Sequence, residues 1–350
     1  MIETIKVENF RCFERLSLSG LSRINIIVGK NGSGKTALLE SLLLSAAGNS
    51  EIAFKMRSWR GLGEGFRFTS DRKSYESIWK DLFFALDQSR TISISLRGSL
   101  SNTRSVQAFY RSDASLTLPL QGEILEDVAS IVPITFEWTD AHGEKTSSQP
   151  RLGKEGFSLG GVSAGIPMAF FSSVLRADPT ENADRFSQLS KNNKEGLIIE
   201  ALQQEFPFIK NLSVEINGGV AMVYGQLATL PEKIPIANIS AGVNKLLGIL
   251  LAIANFPKGV ILIDEIDNGF YYDRLSTIWS SLLVFCKRYD TQIFATTHSL
   301  ECIRAALPSL SKHASDFSLW RTEKENSQVV VRQFSGKDLK GSIEQESEIR

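Results

Sequence analysis

The sequence has little cysteine and no long apolar run, and both absences narrow the class of protein. Cys12, Cys286 and Cys302 are far apart and lack the paired spacing of a zinc site or a disulfide framework, which fits a reducing cytoplasm. The longest apolar run, residues 246–256, is too short to cross a bilayer. The first residues also lack a basic region followed by an apolar stretch. We therefore expect a cytoplasmic, unprocessed chain with no membrane segment.

An excess of charge of either sign is also absent. Lys plus Arg and Asp plus Glu number 39 each, so no global positive field points to nucleic acid or an anionic membrane, although a local basic patch stays open. Apolar residues make up 42% and charged residues 22%, which excludes a largely disordered chain. A length of 350 residues predicts one large domain with an insertion, or two lobes.

The first fifty residues have the pattern of a strand, a glycine-rich loop and a helix. Residues 2–10 alternate apolar and polar side chains, and residues 24–28 are a short apolar run that ends at a glycine. Residues 36–47 carry leucine and alanine at helical spacing. The loop between the second strand and the helix is therefore in the position that a phosphate-binding motif requires.

That loop, residues 29–36, reads Gly-Lys-Asn-Gly-Ser-Gly-Lys-Thr and satisfies the pattern G-x-x-x-x-G-K-[ST]. Glycines let backbone N–H groups surround the β-phosphate of a nucleotide, Lys35 reaches the β- and γ-oxygens, and Thr36 binds Mg²⁺. A chance glycine-rich turn is the alternative, and the flanking strand and helix argue against it. The predicted ATP-binding residues of the loop are Asn31, Gly32, Ser33, Gly34, Lys35 and Thr36.

Two later strands end in side chains suited to phosphoryl transfer. Residues 260–263 form an apolar strand followed by Asp264, a ligand for Mg²⁺ with Thr36, and by Glu265, which would polarise the attacking water. The strand at 292–296 is followed by His298, which would sense the γ-phosphate or orient that water. An ordinary strand end and a structural histidine are the alternatives, and the phosphate loop favours function. The predicted catalytic residues are Lys35, Glu265 and His298.

The remaining segments predict the domain organisation. Short alternating segments over about 90–175 indicate an antiparallel β-rich insertion with exposed hairpins, and about 180–210 indicates a small helical lobe with a turn at 191–196. Helices at 243–255 and 274–288 alternate with the strands at 260–263 and 292–296, which predicts parallel strands with crossover helices. The ATPase domain is expected over 1–334, with its core at 1–50 and 235–334 and a tail at 335–350. No repeat or long heptad array is present, so an extended coiled-coil arm is not expected.

Five segments together resemble a known family: Asn-Phe-Arg at 9–11, the phosphate loop, Ile-Ser-Ala-Gly-Val at 239–243, Ile-Asp-Glu-Ile-Asp-Asn-Gly at 263–269, and Ala-Thr-Thr-His-Ser-Leu-Glu-Cys at 295–302. Across nearly the whole chain they look like the ABC-type AAA ATPases related to the OLD family and to SMC-like heads. The resemblance implies an α/β P-loop NTPase fold of the ABC/SMC-head kind, with a parallel-sheet core, an antiparallel β subdomain and a small helical lobe. It also implies ATP and Mg²⁺ as cofactors.

The resemblance further implies that two copies close around ATP, as a homodimer or a higher oligomer. Ser240 and Gly242 would act on the ATP bound by a partner, although Ser-x-Gly before a helix is also an ordinary N-cap. This chain departs from the family pattern at Ala241, Val243 and Tyr271, where glycine, glutamine and histidine are usual. Arg11 resembles a residue that approaches the nucleotide in SMC-like heads, and a surface charge is the alternative.

The biological role rests on the same resemblance. OLD proteins carry a TOPRIM nuclease domain after the ATPase, and too few residues follow His298 for one, so we expect a separately encoded effector, a nuclease or toxin, controlled by this chain in bacterial antiphage defence. The alternative is a DNA-binding repair or recombination ATPase of SMC-like type, which the neutral charge disfavours. A transporter motor and a guanine-specific enzyme are disfavoured by the motifs. Segments 57–72 and 97–111 are candidates for DNA or protein contact, with solvated loops as the alternative.

Overall fold

A computed structural model of the chain describes residues 1–60, 72–110, 132–153, 156–158, 164–174, 178–326 and 328–335. Most of the candidate contact segment 57–72, and the tail after residue 335, lie outside the described residues. Within the described part, no helix combines the length and the apolar character needed to cross a membrane.

One of the two large sheets is antiparallel and contains the N-terminus. Its six strands, in spatial order, are β2 (Phe13–Ser19), β1 (Ile2–Phe10), β4 (Ile92–Gly98), β5 (Arg104–Tyr110), β6 (Ile134–Thr139) and β7 (Lys145–Ser148). Alternate side chains of β4, β5 and β6 are buried, as the period of a strand requires. These strands form the expected antiparallel pairs, and β4 also pairs with β1, so they continue the N-terminal sheet. Two short strands, β8 (Arg151–Gly153) and β9 (Gly156–Ser158), pair with each other.

The second sheet is parallel except at one edge. Its strands, in spatial order, are β10 (Met168–Phe171), β14 (Val260–Ile263), β15 (Gln292–Thr296), β3 (Ile24–Val28), β16 (Phe317–Glu325) and β17 (Gln328–Ser335), with β17 antiparallel. The predicted strands β3, β14 and β15 are confirmed and buried throughout, which explains their largely apolar sequences. β10 belongs to this sheet although it lies in the span 90–175 assigned to the insertion; the other domain boundaries stay predictions.

A helix that follows β3, α1 (Lys35–Ala46), lies between the two sheets. Eleven of its twelve residues are buried, because it packs against β4 and β5 on one side and against β10, β14 and β15 on the other. Two helices follow it, α2 (Glu51–Trp59) and α3 (Arg72–Lys80). The N-terminus of α1 is thus held in a fixed position relative to the ends of the parallel strands.

The remaining elements cover the other face of the parallel sheet. They are α4 (Pro179–Ser190), α5 (Glu195–Glu205), β11 (Ile209–Asn217), β12 (Val220–Leu227), β13 (Ile234–Pro235), α6 (Ile236–Ile239), α7 (Ala241–Asn255), α8 (Leu275–Tyr289), α9 (Leu300–Ala305) and α10 (Leu307–Lys312). α4 and α5 are the two expected helices of the lobe, and both pack on α7. The hairpin β11–β12 beside them was not predicted. Apolar side chains from these helices and the sheet form one continuous core.

Candidate nucleotide site

The phosphate loop joins β3 to α1 and depends on its glycines. Gly29, Gly32 and Gly34 have φ values of 145°, 75° and 99°, in the region that favours glycine. A Cβ atom on Gly29 would lie 2.3 Å from the carbonyl oxygen of Thr322 on β16, so only glycine fits there. Ser33 in the loop is held by a 2.6 Å hydrogen bond between its Oγ and Thr322 Oγ1. The loop therefore has a defined shape before any ligand arrives.

Lys35 projects back into this loop. Its Nζ donates to the carbonyl oxygen of Gly29 at 2.7 Å and to that of Lys30 at 3.2 Å, and the residue is 8% exposed. Burial lowers the pKa of Lys35, and the carboxylates of Asp264 and Glu265 partly oppose that shift. The amine is thus aligned with the inner face of the loop, where a phosphate would bind.

Asp264 is the point where three elements meet. Thr36 Oγ1 at the start of α1 lies 3.3 Å from Asp264 Oδ1, and Thr296 Oγ1 at the end of β15 donates to the same oxygen at 2.7 Å. Ser173 Oγ, just after β10, donates to Oδ2 at 2.8 Å. The carboxylate is 7% exposed and is held in one orientation by these hydroxyl groups.

This pair of oxygen donors fits Mg²⁺. Thr36 and Asp264 supply a hydroxyl and a carboxylate oxygen side by side, which are hard ligands of the kind that Mg²⁺ takes. Among the described residues, no group of three or more His, Cys, Asp or Glu side chains could form a protein cage for a metal. A metal held by Thr36 and Asp264 would keep several water ligands, as Mg²⁺ bound next to phosphates does.

Glu265 and His298 lie next to each other beyond the metal pair. Glu265 has a φ of 50°, and its N–H donates to Thr296 Oγ1 at 2.8 Å. One carboxylate oxygen lies 3.8 Å from His298 Nδ1, and the other accepts a hydrogen bond from Asn268 Nδ2. The side chain of His298 is 52% exposed. The two groups predicted to act on the attacking water thus share one partly open position.

Lys245 on α7 supports the loop that carries these acids. Its Nζ donates to the carbonyl oxygens of Glu265 at 2.7 Å and of Asn268 at 3.0 Å. Burial lowers the pKa of Lys245 to about 8, against the opposing effect of Asp267, Glu265 and Asp264. The lysine therefore couples the orientation of α7 to the backbone position of Glu265.

Ser240 and Gly242 lie at the start of the same helix. Ser240 is exposed and caps α7 by accepting a 3.1 Å hydrogen bond from the N–H of Val243. Gly242 is buried, and a Cβ atom there would lie 2.5 Å from the carbonyl oxygen of Gly269. Within one chain Gly242 therefore contacts the end of the acid loop, and Ser240 lies two residues before it.

Arg11 is in a different environment from the one expected of a surface charge. Its Nε donates to Glu40 on α1 at 3.1 Å and its Nη1 to Asp81 at 2.6 Å, and its side chain is 6% exposed. Arg60 also pairs with Glu40, through Nε at 2.6 Å. The third nitrogen of Arg11, Nη2, is buried without a hydrogen-bond partner in the described part of the chain. Arg11 is therefore a buried residue fixed to the helix that follows the phosphate loop.

Sequence reasoning predicted the residues at the centre of this arrangement and did not predict the side chains that hold them in position. The structure brings together Lys35, Thr36, Asp264, Glu265 and His298. Thr296 could have been found, since it ends a strand next to His298. Ser173 and Lys245 have no such signal, because they come from a strand that was not predicted and from the side of a helix.

The fold and site define a class. A glycine-rich loop between β3 and α1, next to Asp264 at the end of β14, is the arrangement of a P-loop ATPase of the AAA and SMC-head type. Residues 24–304 match the family described as "AAA domain, putative AbiEii toxin, Type IV TA system". Since the match spans most of the chain, the protein belongs to that family.

Individual relatives agree with this class. An "ATP/GTP phosphatase" of Helicobacter pylori is 22% identical over 377 residues, covering 100% of both chains. The DNA replication and repair protein RecF of Idiomarina loihiensis is 51% identical over 49 residues, which is 14% of each chain. A solved SMC head bound to the C-winged helix domain of ScpA superposes with a TM-score of 0.51 at 13% identity, covering 95% of this chain and 97% of that one. That likeness confirms the predicted SMC-head-like α/β fold.

Proposed function

We propose that this chain binds ATP with Mg²⁺ and hydrolyses it to ADP and phosphate. The observation that carries the proposal is the 3.3 Å approach of Thr36, next to Lys35 of the phosphate loop, to Asp264 at the end of β14. This approach unites the loop suited to phosphates with the acids suited to metal and water at one edge of the sheet. Membership of an AAA family and the full-length "ATP/GTP phosphatase" relative support it.

Each residue has a distinct role in this proposal. ATP with Mg²⁺ would supply a polarised γ-phosphoryl group for transfer to water. The backbone of residues 31–34 binds phosphate, the Lys35 amine neutralises charge on the β- and γ-oxygens, and Thr36 with Asp264 holds the metal. Glu265 orients the attacking water and takes up its proton, and His298, 3.8 Å from that carboxylate, senses the γ-phosphate or orients the same water. Arg11 retains a buried N–H donor for the nucleotide.

The proposed assembly is a homodimer or a higher oligomer. Ser240 is exposed at the N-terminus of α7, where a hydroxyl and backbone N–H groups favour an anion. Gly242 permits the close packing that fixes this terminus to the acid loop. Ser240 and Gly242 would therefore bind the γ-phosphate of ATP held by a second copy.

The roles of Lys35 and Glu265 are tested by nucleotide binding and turnover in two variants. Lys35→Ala should lose affinity for ATP, because it removes the cation inside the loop, whereas Glu265→Gln should bind ATP and stall. His298→Ala should slow turnover and keep affinity. Lys191→Ala, an exposed lysine after α4, is the control for loss of a positive charge. Equal loss of ATP affinity in Lys35→Ala and Glu265→Gln would contradict the assigned roles.

For the biological role, we propose a cytoplasmic sensor or scaffold subunit whose ATP state controls a separately encoded nuclease or toxin in bacterial antiphage defence. The family description, with its reference to a Type IV TA system, supports control of a toxic activity. The local similarity to RecF supports the alternative, a DNA-binding repair or recombination ATPase.

DNA dependence separates these two roles. A repair ATPase should hydrolyse ATP faster with linear duplex DNA, and its DNA affinity should fall steeply as salt is raised. An effector-controlling subunit should show the same turnover with and without DNA. Lys35→Ala in each assay provides the background rate.

A further inference from the structure

β11 is an edge strand, since β12 is its single neighbour among the described strands. It turns into β12 through Gly218 and Gly219, whose φ values of 59° and 81° are those of a type I′ turn. Such a turn hydrogen-bonds the two residues that flank it, and from there every second residue of β11 pairs with β12. The N–H and C=O groups of Val214 and Ile216 therefore face the open edge of the sheet.

The second half of this edge lacks the usual protection. Proteins commonly protect an edge strand with a bulge, a charged side chain or a proline. β11 has a bulge at its start, between Ile209 and Asn211, and Asn211 Oδ1 accepts the N–H of Leu212 at 2.9 Å. Further along, neither Val214 nor Ile216 donates its N–H to a described residue, and Ile216 is 75% exposed. This part of β11 is therefore free to pair with another strand.

A groove of about 590 Å³ lies beside β11. Residues 211–214 of β11 line one side of it, and α4, α5 and the turn between them line the other. The helical side offers the apolar side chains of Phe186 and Ile199 and the polar side chains of Ser190 and Asn193. Because side chains alternate along a strand, a peptide that pairs with β11 would direct one of its two rows of side chains into this groove.

Glu195 gives the groove a preference for positive charge. It lies in the first turn of α5 and lines the groove, and its Oε2 atom is buried with no hydrogen-bond partner in the described part of the chain. A buried acceptor without a donor costs free energy, and a ligand that donates to it recovers that cost. In a peptide, the strongest donors to a carboxylate are the charged side chains of lysine and arginine.

We propose that β11 and this groove bind an extended segment of a partner protein, which adds a strand to the open edge and places a lysine or arginine against Glu195. The surface is linked to the proposed dimer contact. β12 packs on α6, where a Cβ atom on Gly225 would lie 2.8 Å from Ile236 Cδ1, and Ser240 directly follows α6. A partner bound here is therefore connected to Ser240 through two packed elements. Its identity as the effector rests on the proposed function, whereas the binding does not.

The charge preference is tested with labelled peptides of the length of β11, whose binding to the full chain is measured by fluorescence anisotropy without nucleotide. The peptides alternate valine and threonine and carry either a lysine or a glutamate, in each of two adjacent central positions so that both faces are sampled. The better lysine peptide should bind about 10- to 100-fold more tightly than its glutamate counterpart, the range of one hydrogen bond to a charged group. Glu195→Gln should remove most of this difference. Glu200→Gln, exposed on the same helix, is the matched control.

Strand pairing is tested by methylating backbone nitrogens of the lysine peptide, which leaves the protein unchanged. Methyl groups on alternate residues remove either the N–H groups that face β11 or those that face away from it. One methylation pattern should abolish binding, and the other should leave it intact.

Each part of the proposal has its own contrary result. Equal binding of the two methylated peptides would overturn strand addition, and equal binding of the lysine and glutamate peptides would overturn the role of Glu195. No binding of the lysine peptides at millimolar concentration would overturn the whole proposal. If light scattering shows that the peptide dissociates an existing oligomer, the edge belongs to a second copy and not to a separate partner. A chain that binds the lysine peptide but not ATP would keep this proposal and overturn the proposed function.

Discussion

Among single residues, Thr296 joins two functional residues of the site although it has no direct part in the chemistry. Its hydroxyl donates to Asp264 Oδ1 at 2.7 Å and accepts from the N–H of Glu265 at 2.8 Å, and the residue is fully buried. One side chain on β15 therefore fixes both the metal-binding acid and the backbone of the next residue. The position of that backbone in turn determines where the Glu265 side chain begins.

Replacing that hydroxyl should affect stability and metal dependence together. Thr296→Val keeps the shape but leaves the partly buried N–H of Glu265 without its partner, which should lower the free energy of unfolding by about 1–3 kcal/mol. It should also raise the Mg²⁺ concentration needed for half-maximal turnover, because Asp264 loses a fixed orientation. Urea unfolding and a Mg²⁺ titration measure the two effects. Thr296→Ser, which retains the hydroxyl, should behave nearly as the wild type, and a defect as large as that of Thr296→Val would rule out the hydroxyl as the cause.

Among the secondary-structure elements, α7 links Ser240 at its N-terminus to the loop that carries Asp264 and Glu265. Gly242 approaches Gly269 so closely that an added Cβ would lie 2.5 Å from its carbonyl oxygen. Gly242→Ala should therefore displace the acid loop, slow turnover and destabilise the chain by about 1–3 kcal/mol, the usual cost of overpacking. Gly196→Ala on α5, where a Cβ meets nothing within 4 Å, is the matched control and should be neutral or slightly stabilising. Turnover and thermal unfolding of both variants test this expectation. A Gly242→Ala variant as stable as the wild type would argue against the close contact with Gly269.

The contact between α5 and α8 predicts a dependence of stability on pH. Glu205 is 1% exposed and accepts a 2.7 Å hydrogen bond from Thr277 Oγ1, and burial raises its pKa above the ordinary 4.5. Between that value and the raised one, the folded state binds more protons than the unfolded state, so the free energy of unfolding falls as pH rises through this window. Glu205→Gln should remove this loss, and its stability relative to the wild type should increase from about pH 4 to about pH 7. Glu200→Gln, exposed on the same helix, is the control in urea unfolding at both pH values.

How far the sequence predicts these elements depends on whether the signal is local. β3, β14 and β15 are largely apolar runs followed by a glycine or by polar residues, and their predicted bounds agree with the structure. The hairpin β11–β12 turns at Gly218 and Gly219, a two-residue signal that was present but not used. β10 has no comparable signal, since it is a short strand whose partner β14 follows some ninety residues later in the chain.

At the scale of the whole molecule, the same distinction applies to the site. Parallel strands place their carboxyl ends at one edge, so the proximity of the phosphate loop, Asp264, Glu265 and His298 could be predicted from three strands. The pairing of β1 with β4 could not be predicted, because it joins strands that are separated by most of the first third of the chain. As a result the antiparallel strands form a wall for α1 and support the phosphate loop, where a separate insertion would leave α1 exposed.

The proposed dimer makes a prediction about mixed variants that no single variant can test. If Ser240 acts on the ATP of a partner, Lys35→Ala and Ser240→Asp damage different halves of each composite site. Asp keeps the N-cap of α7 and places a negative charge near the γ-phosphate. Each variant alone should be nearly inactive, and in a heterodimer one of the two sites should be intact. An equal mixture should therefore recover about a quarter of wild-type turnover, when subunits pair at random and the sites act independently.

The control mixture pairs Lys35→Ala with Glu265→Gln. Both residues belong to the same chain's half of the site, through the loop and through β14 next to it, so every composite site in that mixture is damaged and turnover should stay at the background rate. Recovery in the first mixture alone would support action of Ser240 on a partner's ATP. Equal recovery in both mixtures would mean that the assignment of Lys35 and Glu265 to one site is wrong. Recovery in neither, with each variant folded and the wild type active, would mean that Ser240 acts within its own chain, where it caps α7 beside the acid loop.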